Sequence, residues 1–152
     1  MRISTKGRYS LEALLYMAVH STESLSVKTI AGATGISDGY LEQLFIPLRK
    51  AGIIRGRRGP RGGYCLSRER EKITAGDILR TMEGVLKPTD CVSADTQSED
   101  CVKSKTCPLS ASCATRKIWV KLYREINGCV DSITLADLAE SYETMEQTEC
   151  AL

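Results

Sequence analysis

The chain has 152 residues and a mass of 16.7 kDa, enough for one or two small domains. Its net charge of +2 hides an asymmetry: residues 1–70 carry 12 basic and 5 acidic side chains (+7), whereas residues 71–152 carry 9 and 14 (−5). A hydrophobic content of 42% argues against a disordered chain, and the longest apolar run, Ala13 to Val19, is too short to span a membrane. The polar start MRISTKGRYS lacks the apolar stretch of a secretory signal, so a cytoplasmic protein is expected. Its basic half alone calls for an anionic partner.

In chain order, Leu11, Leu14, Leu15, Ala18 and Val19 follow the spacing of an amphipathic helix over residues 9–21. Ser26 is placed to cap a second, short helix containing Val27, Ile30, Ala31 and Ala33. Gly35-Ile36-Ser37 then forms a tight turn. Ser37 is the expected N-cap of a third helix, with Asp38 in its first turn and Ile36 and Leu41 as a hydrophobic staple. Leu41, Leu44, Phe45 and Leu48 make its buried stripe. Pro47 inside that stripe predicts a kink or short break near Phe45–Pro47, and Gly52 predicts the stop. Two short helices joined by a tight turn make a helix-turn-helix.

Next come a strand at Ile53-Ile54-Arg55, an arginine-tipped loop from Gly56 to Gly63 and a returning strand at Tyr64-Cys65-Leu66. A hairpin tipped by Arg57, Arg58 and Arg61 directly after a helix-turn-helix reads as a basic wing. The planar, permanently charged guanidinium suits phosphates and narrow minor grooves. In this arrangement the third helix enters the major groove with its N-terminal residues toward base edges. Ser37, Tyr40, Glu42 and Gln43 are then the candidates for base contact. Gln43 suits adenine, and Glu42 suits cytosine or acts as a filter that repels phosphate at wrong sites. Arg49 lies further along and suits phosphate. Cys65 is expected in the core of the hairpin.

In the acidic half, Thr74-Ala75-Gly76-Asp77 resembles a capping box, followed by Ile78, Leu79 and Met82 as an apolar face and Gly84 as a stop. Residues 87–112 show no periodicity. From Ala114 a long helix carries Ile118, Trp119, Leu122, Tyr123, Ile126 and Val130 on a broad stripe that reads as a dimerisation surface. A last helix starts at Thr134–Asp137 and buries Leu135, Leu138 and Ala139, with an acidic, frayed tail after Tyr142. The expected segments are a DNA-binding unit at 1–84, a cysteine-rich loop at 85–113, the dimerisation and C-terminal helices at 114–142 and a tail at 143–152.

Seven cysteines in a reducing compartment need a purpose other than disulfides. Cys91, Cys101, Cys107 and Cys113 fall within 23 residues. The five-residue gaps from Cys101 to Cys107 to Cys113 suit zinc knuckles poorly, whereas thiolates on a loose loop can wrap an iron–sulfur cluster. Cys113 sits at the start of the long helix, whose N-terminus favours the thiolate. Three cysteines leave such a site one ligand short and therefore labile, which is useful in a sensor. Cys129, Cys150 and His20 have no evident site partner. Nor does the chain carry the Cys-x-x-Cys of a thiol oxidoreductase, and no enzymatic activity is expected.

The stretches MRISTKGRYSLEALLYMA, ISDGYLEQLFIPLRKAGIIRGRRGPRGGYCL and ITAGDILRTMEG, with Trp119, resemble the IscR-type winged helix-turn-helix iron–sulfur transcriptional regulators over nearly the whole chain. The resemblance implies a mainly α fold with a small β-hairpin and a long dimerisation helix. It also implies a homodimer on palindromic promoter DNA and a cluster, 2Fe–2S by expectation, on Cys101, Cys107 and Cys113. Cluster-bearing members have a histidine three residues after the third cysteine. Here Arg116 stands there, and a protonated guanidinium is no iron ligand. Cys91 leads as the fourth ligand, ahead of Asp90, Asp95, Glu99 or Asp100, with a partner-subunit group or solvent also open. The expected function is repression governed by cluster status, with cluster-assembly genes as targets. The alternative is a cluster-free member that answers to thiol oxidation or cysteine metabolism.

Overall fold

A computed structural model describes residues 2–20, 24–59, 62–90, 92 and 113–149. These residues form six helices and one antiparallel hairpin: α1 (Thr5–His20), α2 (Val27–Thr34), α3 (Asp38–Lys50), β1 (Ile54–Arg57), β2 (Gly63–Leu66), a 3-10 turn (Arg70–Lys72), α4 (Ala75–Glu83), α5 (Arg116–Ser132) and α6 (Leu135–Glu149). None of the helices is long and apolar enough to cross a membrane.

α1 is the centre of the molecule and packs against α2, α3, α4, α6 and β2. Its most deeply buried residues are Ser10, Ala13, Leu14 and Met17, with Gly7 and Ala18 buried beside them. The buried face is thus rotated from the expected one, because Leu11, Leu15 and Val19 are only half-buried. A helix surrounded by neighbours has no single polar side, so its leucine spacing does not mark the deepest line. The helix also begins earlier than its leucines suggest. Ser4 ties that start to the end of α4, its N–H and hydroxyl donating to Glu83 Oε1 at 3.1 and 2.6 Å.

Ser26 caps α2 as expected, accepting from the Thr29 N–H at 3.1 Å. Leu41, Leu44, Phe45 and Leu48 of α3 are all buried, and Ile36 and Leu41 are both buried at its entry. The helix does not break at Pro47. Only the Gln43 carbonyl loses its donor there, and Gln43 lies on the exposed side of the helix, where an unpaired carbonyl costs least. Beyond Lys50 the chain turns through Gly52 (φ 69°), with Gly52 N–H bonded to Arg49 O and Ile53 N–H to Leu48 O at 3.1 and 3.0 Å. That pair of bonds is a Schellman stop.

The hairpin is longer and its loop shorter than expected, since β1 continues through Arg57 and β2 starts at Gly63. The register pairs Ile54 with Leu66, Arg55 with Cys65, Gly56 with Tyr64 and Arg57 with Gly63. Directly opposed residues share a face. Ile54 and Tyr64 therefore face the body, Tyr64 meeting the Phe45 ring edge-to-face with centroids 4.7 Å apart, whereas Cys65 shares the outer face with Arg55. The core position expected for Cys65 is corrected: it is half-buried and accepts a bond from Arg55 Nε at 3.3 Å. Leu25 adds a bridge to Tyr64 through two bonds of 2.8 and 2.9 Å, which fixes the hairpin to the α1–α2 link.

The acidic half closes onto this body through a repeated device. Ile73-Thr74-Ala75 and Ile133-Thr134-Leu135 pair antiparallel, with Ala75 N–H on Ile133 O and Leu135 N–H on Ile73 O, both at 2.8 Å. Each threonine caps the helix that follows. Thr74 and Asp77 form the expected capping box, and Thr134 and Asp137 form a second. Leu135 and Ala139 then enter the same core as α1 and α3. α6 is helical to Glu149 and so runs past Tyr142, where the sequence suggested a frayed tail.

Candidate nucleic-acid interface and thiol centre

The buried stripe of α3 turns its opposite side outward. Ser37, Glu42, Gln43 and Arg49 are all exposed there. Ser37 holds the N-cap position, yet its side chain makes no capping bond. Its carbonyl instead accepts from the Tyr40 and Leu41 N–H groups at 3.1 and 3.0 Å, which leaves the exposed Ser37 hydroxyl facing outward at the start of α3. Tyr40 is drawn partly inward, its ring edge-on to Tyr9 at 5.9 Å, with the Arg8 guanidinium 5.7 Å over the Tyr9 ring. Arg55, Arg57 and Arg58 project from the hairpin, and all three are exposed. Arg61 lies outside the described residues.

Cations without an ion pair are dense on this surface, while elsewhere among the described residues Lys28, Lys117 and Lys121 are scattered ones. Away from it, Arg68 meets Asp77 at 3.5 Å, Lys72 meets Glu69 at 2.6 Å, Lys87 meets Asp90 at 2.9 Å, and Arg80 pairs with Asp131. Among the described residues, Arg49, Lys50, Arg57 and Arg58 are in no ion pair. Charge left without counterions around α3 and the hairpin is the electrostatic footprint of a polyanion site. Arg2, Lys6 and Arg8 extend it at the start of α1 (all exposed), and the sequence reading did not single them out.

The second site is the thiol centre. Cys113 lies three residues ahead of α5, half-buried, with its sulfur 3.3 Å from Thr115 Oγ1. The Thr115 hydroxyl holds the thiol below its ordinary value, helped by the backbone N–H of Thr115 and by the N–H and charge of Arg116. Such a thiol is ready to become a metal ligand. Cys91, Cys101 and Cys107, with Asp95, Glu99 and Asp100, lie outside the described residues. Among the described residues no three His, Cys, Asp or Glu side chains gather around a common metal position. Cys113 fits the donor that a thiolate-bound cluster requires. Arg116 serves it as a neighbouring cation, the one role toward the sulfur that a guanidinium can fill.

Both ends of the cysteine segment are anchored. Leu86 and Val92 are buried at its start and Val120 of α5 beyond its end. Arg80 of α4 donates to Asn127 Oδ1 at 3.1 Å, and Asn127 donates to Leu86 O at 3.0 Å. Asp90 is paired with Lys87, which holds its carboxyl below the usual range by a hydrogen bond and then by charge. The other singled-out residues stand apart: His20 ends α1 with its ring tilted against Tyr16, centroids 4.3 Å apart, Cys129 is exposed on α5, and Cys150 lies outside the described residues.

The Rrf2 family, described as iron-dependent transcriptional regulators, matches residues 3–141. The chain is similar to the HTH-type transcriptional regulator CymR of Bacillus subtilis strain 168, with 38% identity over 97% of this chain and 95% of that protein. It is similar to the HTH-type transcriptional regulator IscR of Serratia proteamaculans strain 568, with 34% identity over 95% and 83%. Among solved structures it resembles CymR, the global cysteine regulator of B. subtilis (TM-score 0.73, 37% identity, 93% of this chain and 98% of that one). It also resembles IscR of T. potens (TM-score 0.70, 38% identity, 95% and 90%).

Proposed function

The chain belongs to the Rrf2 family of transcriptional regulators, a non-enzymatic, DNA-binding family, and on that premise we propose that it is a homodimeric promoter-binding repressor whose hold on DNA depends on an iron–sulfur cluster bound by Cys101, Cys107, Cys113 and Cys91. The observation that carries the DNA half is the concentration of unpaired cations around α3 and the hairpin. Ser37, Tyr40, Glu42 and Gln43 face base edges, with Gln43 and Glu42 the best suited, while Arg49 meets the backbone. Arg57, Arg58 and Arg61 hold phosphate or a narrow minor groove.

The observation that carries the sensing half is the lowered Cys113 thiol beside Thr115 and Arg116. When bound, the cluster supplies a state that depends on iron and oxidant, 2Fe–2S being the expected form. The chain turns that state into DNA affinity by linkage. A ligand that favours one arrangement of the cysteine segment biases α5, to which the segment is tied through Asn127 and Leu86. In the dimer, α5 sets the spacing of two recognition helices, which must match half-sites about one helical turn apart. Cluster-assembly genes are the proposed targets.

Anaerobic absorption spectra test this. The wild-type chain should show sulfide-to-iron bands, Cys113→Ser should abolish them, and Cys91→Ala should weaken or shift them. Protein that stays colourless and metal-free after iron and sulfide are supplied overturns the cluster reading. That result would leave a second reading, a cluster-free regulator responding to thiol oxidation or cysteine metabolism. It is favoured by the similarity to a named cysteine regulator and by the same ready thiol.

A further inference from the structure

The outward face of α3 carries Gly39, Glu42, Gln43, Ile46 and Lys50. Four of these are small, polar or charged. Ile46 is a large apolar side chain left 59% exposed, while its neighbour Phe45 is 1% exposed in the core. Single exposed apolar residues are common and need no explanation by themselves. Position is what distinguishes this one. Gln43 lies one helical turn before it, and side chains three apart on a helix are neighbours. Three residues advance about 4.5 Å along the helix. One to two base pairs cover that distance, at roughly 3.4 Å each.

An isoleucine in a major groove finds one apolar group there, the 5-methyl of thymine. Set against cytosine, it would cover the N4 donor without offering an acceptor, which costs the pair its water. We infer that Ile46 is a specificity-determining residue that reads a thymine 5-methyl in the major groove, one or two base pairs from the pair met by Gln43. The inference rests on the proposed role of α3 as the recognition helix. It adds a hydrophobic discriminator to a face that otherwise reads by hydrogen bonds.

The test uses the purified full-length chain and a duplex it selects from a randomised pool. Each thymine of the selected duplex is replaced in turn by uracil, which deletes the methyl and nothing else. At one or two positions per half-site, uracil should weaken wild-type binding about 4-fold, the worth of one buried methyl. Ile46→Ala should bind the thymine duplex about 4-fold more weakly and show no further loss with uracil at those positions. Ile46→Val should keep the uracil response. Ile46 is exposed, so an unchanged thermal unfolding midpoint is expected for both variants. A wild type indifferent to uracil at every position overturns the inference, as does an Ile46→Ala variant that responds to uracil like wild type. Gln43→Ala separates this failure from that of the parent reading. If it weakens selective binding while Ile46→Ala leaves the uracil response intact, only the methyl contact falls. If neither variant changes selective binding, the role of α3 falls with it.

Discussion

Single residues carry the electrostatic and titration behaviour. Arg57 and Arg58 stand exposed beside a hairpin without acidic neighbours in ion-pair range among the described residues. Arg57→Ala and Arg58→Ala should each weaken binding to specific and random duplexes alike and lower the slope of log affinity against log salt by about 1. A salt titration that leaves both slopes at the wild-type value would remove the wing from the interface. Asp137 gives a stability prediction. Its carboxyl is held below the ordinary value of 3.8 by the Thr134 hydroxyl and then by the Thr134 N–H. A depressed carboxyl contributes stability above its unfolded value, and that contribution is lost as pH falls through the lower folded value. Acid unfolding followed by circular dichroism should therefore show a steeper loss below about pH 4 in wild type than in Asp137→Ala. At this scale the sequence is most legible where a residue acts alone. Residue type and neighbours suffice to propose the wing arginines, Gln43 and Cys113 as site residues. The outward turn of Cys65 and the exposure of Ile46 depend on strand register and on which side of α3 the core occupies. Neither follows from the residue itself.

Elements show how local signals and packing share the work. The caps of α2 and α4 are readable in four-residue windows because the bonds that make them are local. Thr74→Ala and Thr134→Ala should each cost about 1 kcal/mol in urea unfolding. The double variant should depart from additivity, because the two segments hydrogen-bond to each other. A close approach at Gly63 gives a sharper outcome, since a Cβ there would meet the Leu25 backbone. Gly63→Ala should destabilise the protein by roughly 1–3 kcal/mol and weaken DNA binding by displacing the hairpin. Unchanged stability would show that the Leu25 bridge yields easily. The unbroken α3 and the full length of α6 were not legible. The penalty for Pro47 depends on whether the carbonyl it strands can reach water, and α6 persists because its first turns are buried against α1.

For the whole molecule, the position of α5 matters most. Val120 is buried on its inner side, and Ile118 and Leu122 are 54% and 39% exposed on the outer side. Paired with the proposed dimer, that outer face predicts that Ile118→Asp with Leu122→Asp lowers the mass in sedimentation equilibrium to one chain while α1–α4 remain folded. A wild-type mass of one chain at every concentration would exclude the dimer. The division between chain order and fold is now specific. Helix-turn-helix, wing, capping boxes, cysteine spacing and the split of charge follow from residues within a few positions of one another, so the chain order alone determines them. Three features needed the tertiary structure: α1 as the buried hub, the return of α6 to the N-terminal core through paired Thr74 and Thr134, and which cations find a carboxylate partner. Each arises from contacts between segments tens of residues apart, and no local pattern encodes which face of a helix such a distant neighbour will cover.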